Sequence, residues 1–233
     1  MAKISVERVK SKKDFKDFIT FPWRVYRDYP NWVPPLLLEM KEKLNKKKNP
    51  FFEHAEMELF LARKDEEIVG RLAGIIDYHH NNCHQEKVVF FGLYESYDDL
   101  EVTRAMLKRV EDWGREKGQE ILRGPMNLSM NDECGFLLEG FDEPPVIMMP
   151  YNPPYYLELM EKAGLVKAKD LYAFKMSRDH ETREKVQQVI EKVKSVTSFS
   201  LRTINMKDIY QEVRKVADIY NRAWAKNWGF VPW

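Results

Sequence analysis

The 233-residue chain has little cysteine, no long apolar run and almost no excess of one charge. Two cysteines, Cys83 and Cys134, cannot build a disulfide framework, so reduced thiols are the default. No run approaches the ~20 apolar residues of a membrane span. The longest pieces, such as Leu59–Ala62 and Val88–Leu93, are strand-sized. The opening MAKISVERVKSKKDF is too charged for a secretion signal and lacks its apolar stretch. The expectation is a cytoplasmic protein. Lys plus Arg is 38 and Asp plus Glu is 37, a net charge of +1, which gives no electrostatic ground for bulk binding to nucleic acid or anionic lipid. What is present is a globular composition, 44% hydrophobic and 32% charged. A chain of this size buries about 70% of its unfolded surface, enough for a core without crosslinks.

Local patterns predict an α+β order. Ile4–Val9 alternates and is β-branched, which predicts a strand. Ser11 is placed to cap a helix carrying Phe15, Phe18 and Ile19 on one face. Pro34 and Pro35 open a second helix through about Leu44, and the lysines from Lys41 to Lys48 read as a solvated face. Met57–Arg63 and Ile68–Tyr78, joined by the polar KDEE, predict a hairpin. HHNNCHQEK reads as a polar, turn-rich connection, and Val88–Tyr94 as the next strand. Leu100, Thr103, Leu107 and Val110 make a helical stripe within Asp99–Lys117, with Gly118 as its stop. Ile121–Arg123 predicts a buried strand, Pro153–Ala163 a helix ended by Gly164, Leu165–Met176 a strand, and Arg183–Val196 a helix. Strand Phe199–Ile204 and helix Lys207–Ala225 then repeat the opening pattern: SFSLRTINMKDIY echoes KISVERVKSKKDF. The expected organisation is a first domain over 1–178, a linker helix over 179–198, and over 199–233 the first strand and helix of a second, incomplete unit whose aromatic tail seeks a partner surface.

This order of elements resembles the GNAT superfamily of acyl-CoA-dependent N-acyltransferases over about residues 4–178. The string RGPMNLSMNDECGFLLEGFDEPPVIMMPYNPPYY, Arg123–Tyr156, followed by LELMEKAGLVKAKDLYA, is similar to a bacterial branch with longer, tandem members. The resemblance implies a mixed, mainly antiparallel twisted sheet, flanked by helices and splayed between its fourth and fifth strands. It implies acetyl-CoA or a longer acyl-CoA as co-substrate, its pantetheine paired with the fourth strand at Gly92, Leu93, Tyr94 and Ser96. Its pyrophosphate would lie at the start of the helix near Asp99. The linking residues Glu95, Ser96, Tyr97, Asp98 and Asp99 depart from the family's glycine pattern: they hold no glycine and three carboxylates. A carboxylate ~4 Å from a phosphate costs roughly 4 kcal/mol at an effective dielectric of about 20. ESYDD reads instead as a helix start capped by its own side chains.

By position, the resemblance makes Tyr155 or Tyr156 the acid that protonates the departing thiolate and Glu133 the base for the amine. Asn127, Asn131, Tyr151 and Asn152 gather polar groups beside them, and Trp23 and Tyr26 belong to an aromatic run over the acceptor site. The structural reading has the tyrosines packing on the sheet behind a proline-stiffened turn. The aromatic run also fits a core lid and, through Arg24 and Arg27, a base-stacking surface. His79, His80, Cys83 and His84 are metal-ligand types, but HHNNCH matches no familiar pair-plus-pair spacing, so no metal is expected. Two functions remain open. One is acyl transfer to a small-molecule primary amine, including amino-acid-like ones. The other is a non-catalytic GNAT-like half that binds a ligand or supports a second catalytic domain. A homodimer or a second domain is the expected protein partner, with neither nucleic acid nor a membrane span.

Overall fold

The computed structural model describes residues 3–175, 184–196 and 202–233. The described residues fall into two compact units: one runs to Lys167 and includes Lys226–Val231, the other comprises the described part of Ala168–Ala225 with Pro232 and Trp233.

The first unit is built on a five-stranded mixed sheet in the order β1-β2-β3-β4-β5. Its elements are β1 (Ile4–Arg8), α1 (Lys12–Thr20), α2 (Pro22–Val25), α3 (Leu37–Lys43), β2 (Ala55–Lys64), β3 (Glu67–Asp77), α4 (Tyr78–His84), β4 (Val88–Ser96), α5 (Leu100–Glu116), β5 (Ile121–Arg123) and α6 (Tyr155–Lys162). The first four strands pair antiparallel, and β5 runs parallel to β4. The second unit holds α7 (Glu184–Val196) and α8 (Ile209–Trp224).

Alternation along the strands explains the layers. Met57, Leu61, Ala73, Ile75, Val88 and Phe90 face α1 and α2, where Phe18, Ile19 and Phe21 are buried. Phe60, Ala62, Leu72, Ile76, Val89 and Phe91 face the other way, onto Val102, Met106, Val110 and Trp113 of α5. Helices on both faces require strands apolar on both sides, hence the near-continuous runs in β3 and β4. Caps fix the helices. Ser11 and Asp14 form a capping box on α1, and Asp99 accepts from the amides of Glu101 and Val102 at the start of α5.

Several expectations are corrected. The hairpin turn is two residues, Asp65 and Glu66, both at positive φ (48° and 70°), the conformation that matches strand twist. HHNNCHQEK is mostly helix, because the Asp77 carboxylate accepts from the amides of His79 and His80 and nucleates α4. Pro34 and Pro35 precede α3 rather than forming its first turn. Residues 165–175 form no strand: among the described residues no neighbour pairs with them, and Val166, Tyr172 and Phe174 stay exposed. Met176 and residues 199–201 lie outside the described residues, and Arg202–Asn205 is not in a strand.

β4 carries the feature that shapes the site. Arg71 pairs with Glu95 and Ala73 with Gly92, so Leu72 opposes two residues, Leu93 and Tyr94. This is a β-bulge, with Leu93 at φ 49°. A one-residue slip exchanges the faces of everything beyond it. Glu95, which strict alternation would set beside Phe91, is thereby turned onto the face of Arg71. Beyond the bulge β4 has no partner strand on its outer side among the described residues. The β4–β5 ladder covers only Val88–Phe90 against Ile121–Arg123, and the chain then leaves through Gly124 and Pro125. The departing loop still lies against β4: Met126 N–H donates to Phe91 O at 2.8 Å, and a Cβ at Gly92 would sit 1.9 Å from Met126 O. The Gly92→Ala protein should therefore lose about 3 kcal/mol or more, a shift outside the range of ordinary surface changes, in a denaturant titration. Wild-type stability in that variant would show that the loop does not hold this position.

Candidate active site

Four side chains meet at the outer end of β4. Glu95 sits on the strand, its side chain about one-eighth exposed, and Arg71 lies beside it on β3, almost fully buried. The Arg71 guanidinium is 3.5 Å from Glu95 Oε1 and donates to Phe18 O at 2.9 Å, while lying over the Phe18 ring. Arg71 Nε, also buried, makes no hydrogen bond. Tyr156, whose ring belongs to the α5 layer, passes its hydroxyl around the unpaired edge of β4. It donates to Glu95 Oε2 at 2.8 Å and accepts from Ser96 N–H at 2.9 Å. Tyr26 closes the cluster from α2's side: its hydroxyl lies against the Glu95 carboxylate and donates to Tyr151 O at 3.1 Å.

Burial pushes the Glu95 carboxyl above its ordinary value, against the opposing pull of Arg71 and of the tyrosine hydroxyls. Burial also raises the phenols of Tyr26, Tyr155 and Tyr156, with Glu95 adding to each. These hydroxyls therefore stay protonated at neutral pH and act as donors. The arrangement is one buried carboxylate that accepts from the neutral Tyr156 hydroxyl, with the Tyr26 hydroxyl beside it and the Tyr155 hydroxyl on the neighbouring Ser96 O, a pairing that proton-transfer chemistry uses.

The sequence-predicted residues divide around this centre. Tyr155 and Tyr156 both reach it, Tyr155 through its hydroxyl to Ser96 O at 2.8 Å. Tyr26 belongs to it, and Tyr151 adjoins it. Trp23 packs edge-on against Trp32, which stacks on Tyr26 with centroids 4.7 Å apart. Glu133 lies elsewhere: it pairs with Lys43 at 3.3 Å and approaches Asn127 Nδ2 at 3.4 Å, so the carboxylate bonded to a tyrosine is Glu95. Asn131 takes part in a turn closed by Ser129 and Asp132. Asn152 is buried and bonds Leu137 N–H at 2.6 Å, so it fastens the 124–154 loop. Cys134 is held inert, its thiol pushed up to about 12 by burial and by Asp132 and Glu133. Among the described residues, no group of three His, Cys, Asp or Glu is placed to hold a metal.

The residues expected to hold pantetheine are already engaged. Gly92 lies under Met126 O, Leu93 N–H donates to Asn127 Oδ1 at 2.8 Å, Tyr94 bonds Thr103 inside the core at 2.8 Å, and Ser96 N–H is bound by Tyr156. The expected pyrophosphate position is engaged too. Asp99 occupies the α5 amides and pairs with Lys64 at 2.7 Å. The reading of ESYDD as a self-capped helix start describes Asp99, whereas Glu95 and Ser96 are still strand.

Glu95 and Arg71 were missed as site residues. Arg71 carried a usable signal, a lone arginine inside the apolar run IVGRLAGII, since buried arginines are rare without a partner. Glu95 carried none, because its face depends on a bulge at a leucine.

Fold and site define an α+β protein that holds a buried carboxylate against tyrosine hydroxyls at the unpaired edge of a mixed sheet. A protein named bacterial ceramide synthase, from Caulobacter vibrioides, is 37% identical over 232 residues, covering 99% of this chain and 60% of the relative. Protein YghO of Escherichia coli is 37% identical over 227 residues, covering 95% of this chain and 56% of the relative. The chain thus spans less than two thirds of the length of these curated relatives. No protein-family model and no solved structure matches it. No helix among the described residues is long and apolar enough to cross a membrane.

Replacing Arg71 by Met should cost about 3–5 kcal/mol at neutral pH, because it strands a buried carboxylate. The loss should shrink on acidification. With Arg71 gone, the folded-state value of Glu95 rises further above the unfolded one, so stability falls as pH climbs through that window and the penalty vanishes below it. Urea melts at several pH values read this directly; a pH-independent loss would contradict the pairing.

Proposed function

We propose that this protein transfers an acyl group from an acyl-CoA thioester to a primary amine on a GNAT-like fold, with Glu95 as the proton acceptor. The observation that carries the reading is the buried Glu95 carboxylate bonded to Tyr156 and set against Arg71. The relatives support the same class. A ceramide is an amide of a long-chain amino alcohol, so an enzyme with that name makes an N-acyl bond.

The roles follow from chemistry. The amine nitrogen attacks the thioester carbonyl carbon, a C–N bond forms, and the C–S bond breaks. The proton lost by nitrogen goes to the Glu95 carboxylate, whose raised basicity suits neutral pH. The departing thiolate takes a proton from Tyr155, which is only partly buried, whereas Tyr156 is enclosed and positions Glu95. Arg71 favours the ionised form of the carboxylate against the effect of burial. Tyr26, Tyr151, Trp32 and Trp23 form the wall against which the acceptor lies.

A second reading has its own observation. The amides at Leu93, Ser96 and the start of α5 are bonded within the chain, which favours a GNAT-like unit that binds a ligand or supports a catalytic domain. Thermal shift separates the two. Acetyl-CoA or longer acyl-CoAs well above their dissociation constants must raise Tm if they bind the folded chain, and no shift at millimolar concentration favours the supporting role.

For the catalytic reading, Glu95→Gln should lower kcat/KM for amide formation by about 100-fold or more. The acid limb of the wild-type kcat/KM profile should lie above 4.5, the ordinary glutamate value, and Arg71→Met should move it further up. Mass-spectrometric assay of N-acyl product checks both. Full activity in Glu95→Gln would remove Glu95 from the mechanism.

A further inference from the structure

The loops beside the aromatic wall carry aliphatic side chains that the core does not use. Val33, Leu36 and Leu38 follow Trp32, and Leu36 and Leu38 are about 70% exposed (71% and 70%). Val146, Ile147 and Met148 stand on the 124–154 loop, Ile147 at 93% exposure. The two loops are tied together. Asn31 Nδ2 donates to Phe141 O at 3.1 Å, and Tyr151, which takes the Tyr26 hydrogen bond, donates to the same carbonyl at 3.2 Å. Bare aliphatic groups thus stand on two tied segments, which Pro34, Pro35, Pro144 and Pro145 stiffen. Next to them along the chain, between Glu42 and Glu53, Lys47 and Lys48 are exposed, while Lys46 bonds Met57 O and pairs with Glu58.

We propose that this rim docks on the surface of an anionic lipid bilayer, with Leu36, Leu38 and Ile147 entering the headgroup–acyl boundary and Lys47 and Lys48 facing the lipid charge. Aliphatic tips flanked by lysines are the composition of an interfacial anchor. Glu139, Asp142 and Glu143 on the second loop carry the opposite charge, so that loop contributes through its aliphatic tip and the lysines supply the lipid preference. A protein that acylates a lipid amine gains from collecting it at the membrane. The proposal takes its purpose from the function proposed above, but its measurement does not depend on turnover.

The test is co-sedimentation of the 233-residue chain with sucrose-loaded vesicles, either pure phosphatidylcholine or one-third phosphatidylglycerol. The chain should pellet with the anionic vesicles and much less with the neutral ones. Leu36→Ser with Ile147→Ser should weaken partitioning by roughly tenfold or more at an unchanged melting temperature, since both side chains are exposed. Charge reversal of Lys47 and Lys48 to Glu should abolish the anionic preference. Val166→Ser, at an exposed valine elsewhere, should change nothing. A wild-type chain left in the supernatant, or a double variant that pellets equally, would overturn the proposal. So would a dimer in light scattering that the double variant dissolves, because the rim would then be a contact between copies. Amide formation without vesicle binding would sink the docking and leave the transferase reading standing.

Discussion

A carboxylate withdrawn from water must be matched, and the matching of Glu95 organises the centre of this protein. Arg71 supplies the countercharge from β3, Tyr156 reaches it from α6, and Tyr26 closes over it from α2. Each partner comes from a different element, so the sheet, the helices on both faces and the bulge must all be in place before the cluster can form. Desolvation of both ions makes such a pair weak support for stability, and its worth lies in the one arrangement it permits. That is the property a proton-transfer site needs.

The same end of β4 explains why the site can exist. An ordinary sheet would cover this edge with a neighbouring strand, and the tyrosine hydroxyls could not pass. Here β5 pairs over three residues only, and Asn127, Tyr155 and Tyr156 take up the edge groups beyond it. Unpaired backbone groups at a buried edge are costly, and side chains satisfy them without a ladder. The edge is therefore dressed in polar side chains beside the buried Glu95 carboxylate. Any acyl donor that paired with β4 would have to exchange those bonds for its own.

The sequence foretold the elements that rest on periodicity. The stripe of α5, its Asp99 cap and the hairpin of β2 and β3 lie where alternation and helical spacing set them, and β5 forms at Ile121–Arg123 but is not the buried strand expected, since Ile121 is exposed. It foretold less where one side chain decides the local fold. Asp77 turns a polar stretch into α4, and no pattern within HHNNCHQEK announces it. Leu165–Met176 has strand composition, but a strand needs a neighbour, and 165–175 finds none among the described residues. The site was half legible. Tyr155, Tyr156 and Tyr26 stand out by position and resemblance, while Glu95 hides behind a bulge at Leu93, a residue type that gives no hint of positive φ. Glu133 was an expectation from position and resemblance alone, and alternation in VVFFGLYES would have set Glu95 on the face of Phe91.

The central claim, that Glu95 is a buried carboxylate of raised basicity held among Arg71, Tyr156 and Tyr26, is tested most directly by carbon-13 NMR titration of the side-chain carboxyls, with Glu95→Gln to assign the signal. The account predicts that this resonance titrates above 4.5, the ordinary glutamate value, and apart from the exposed glutamates. A midpoint at or below that value would contradict it.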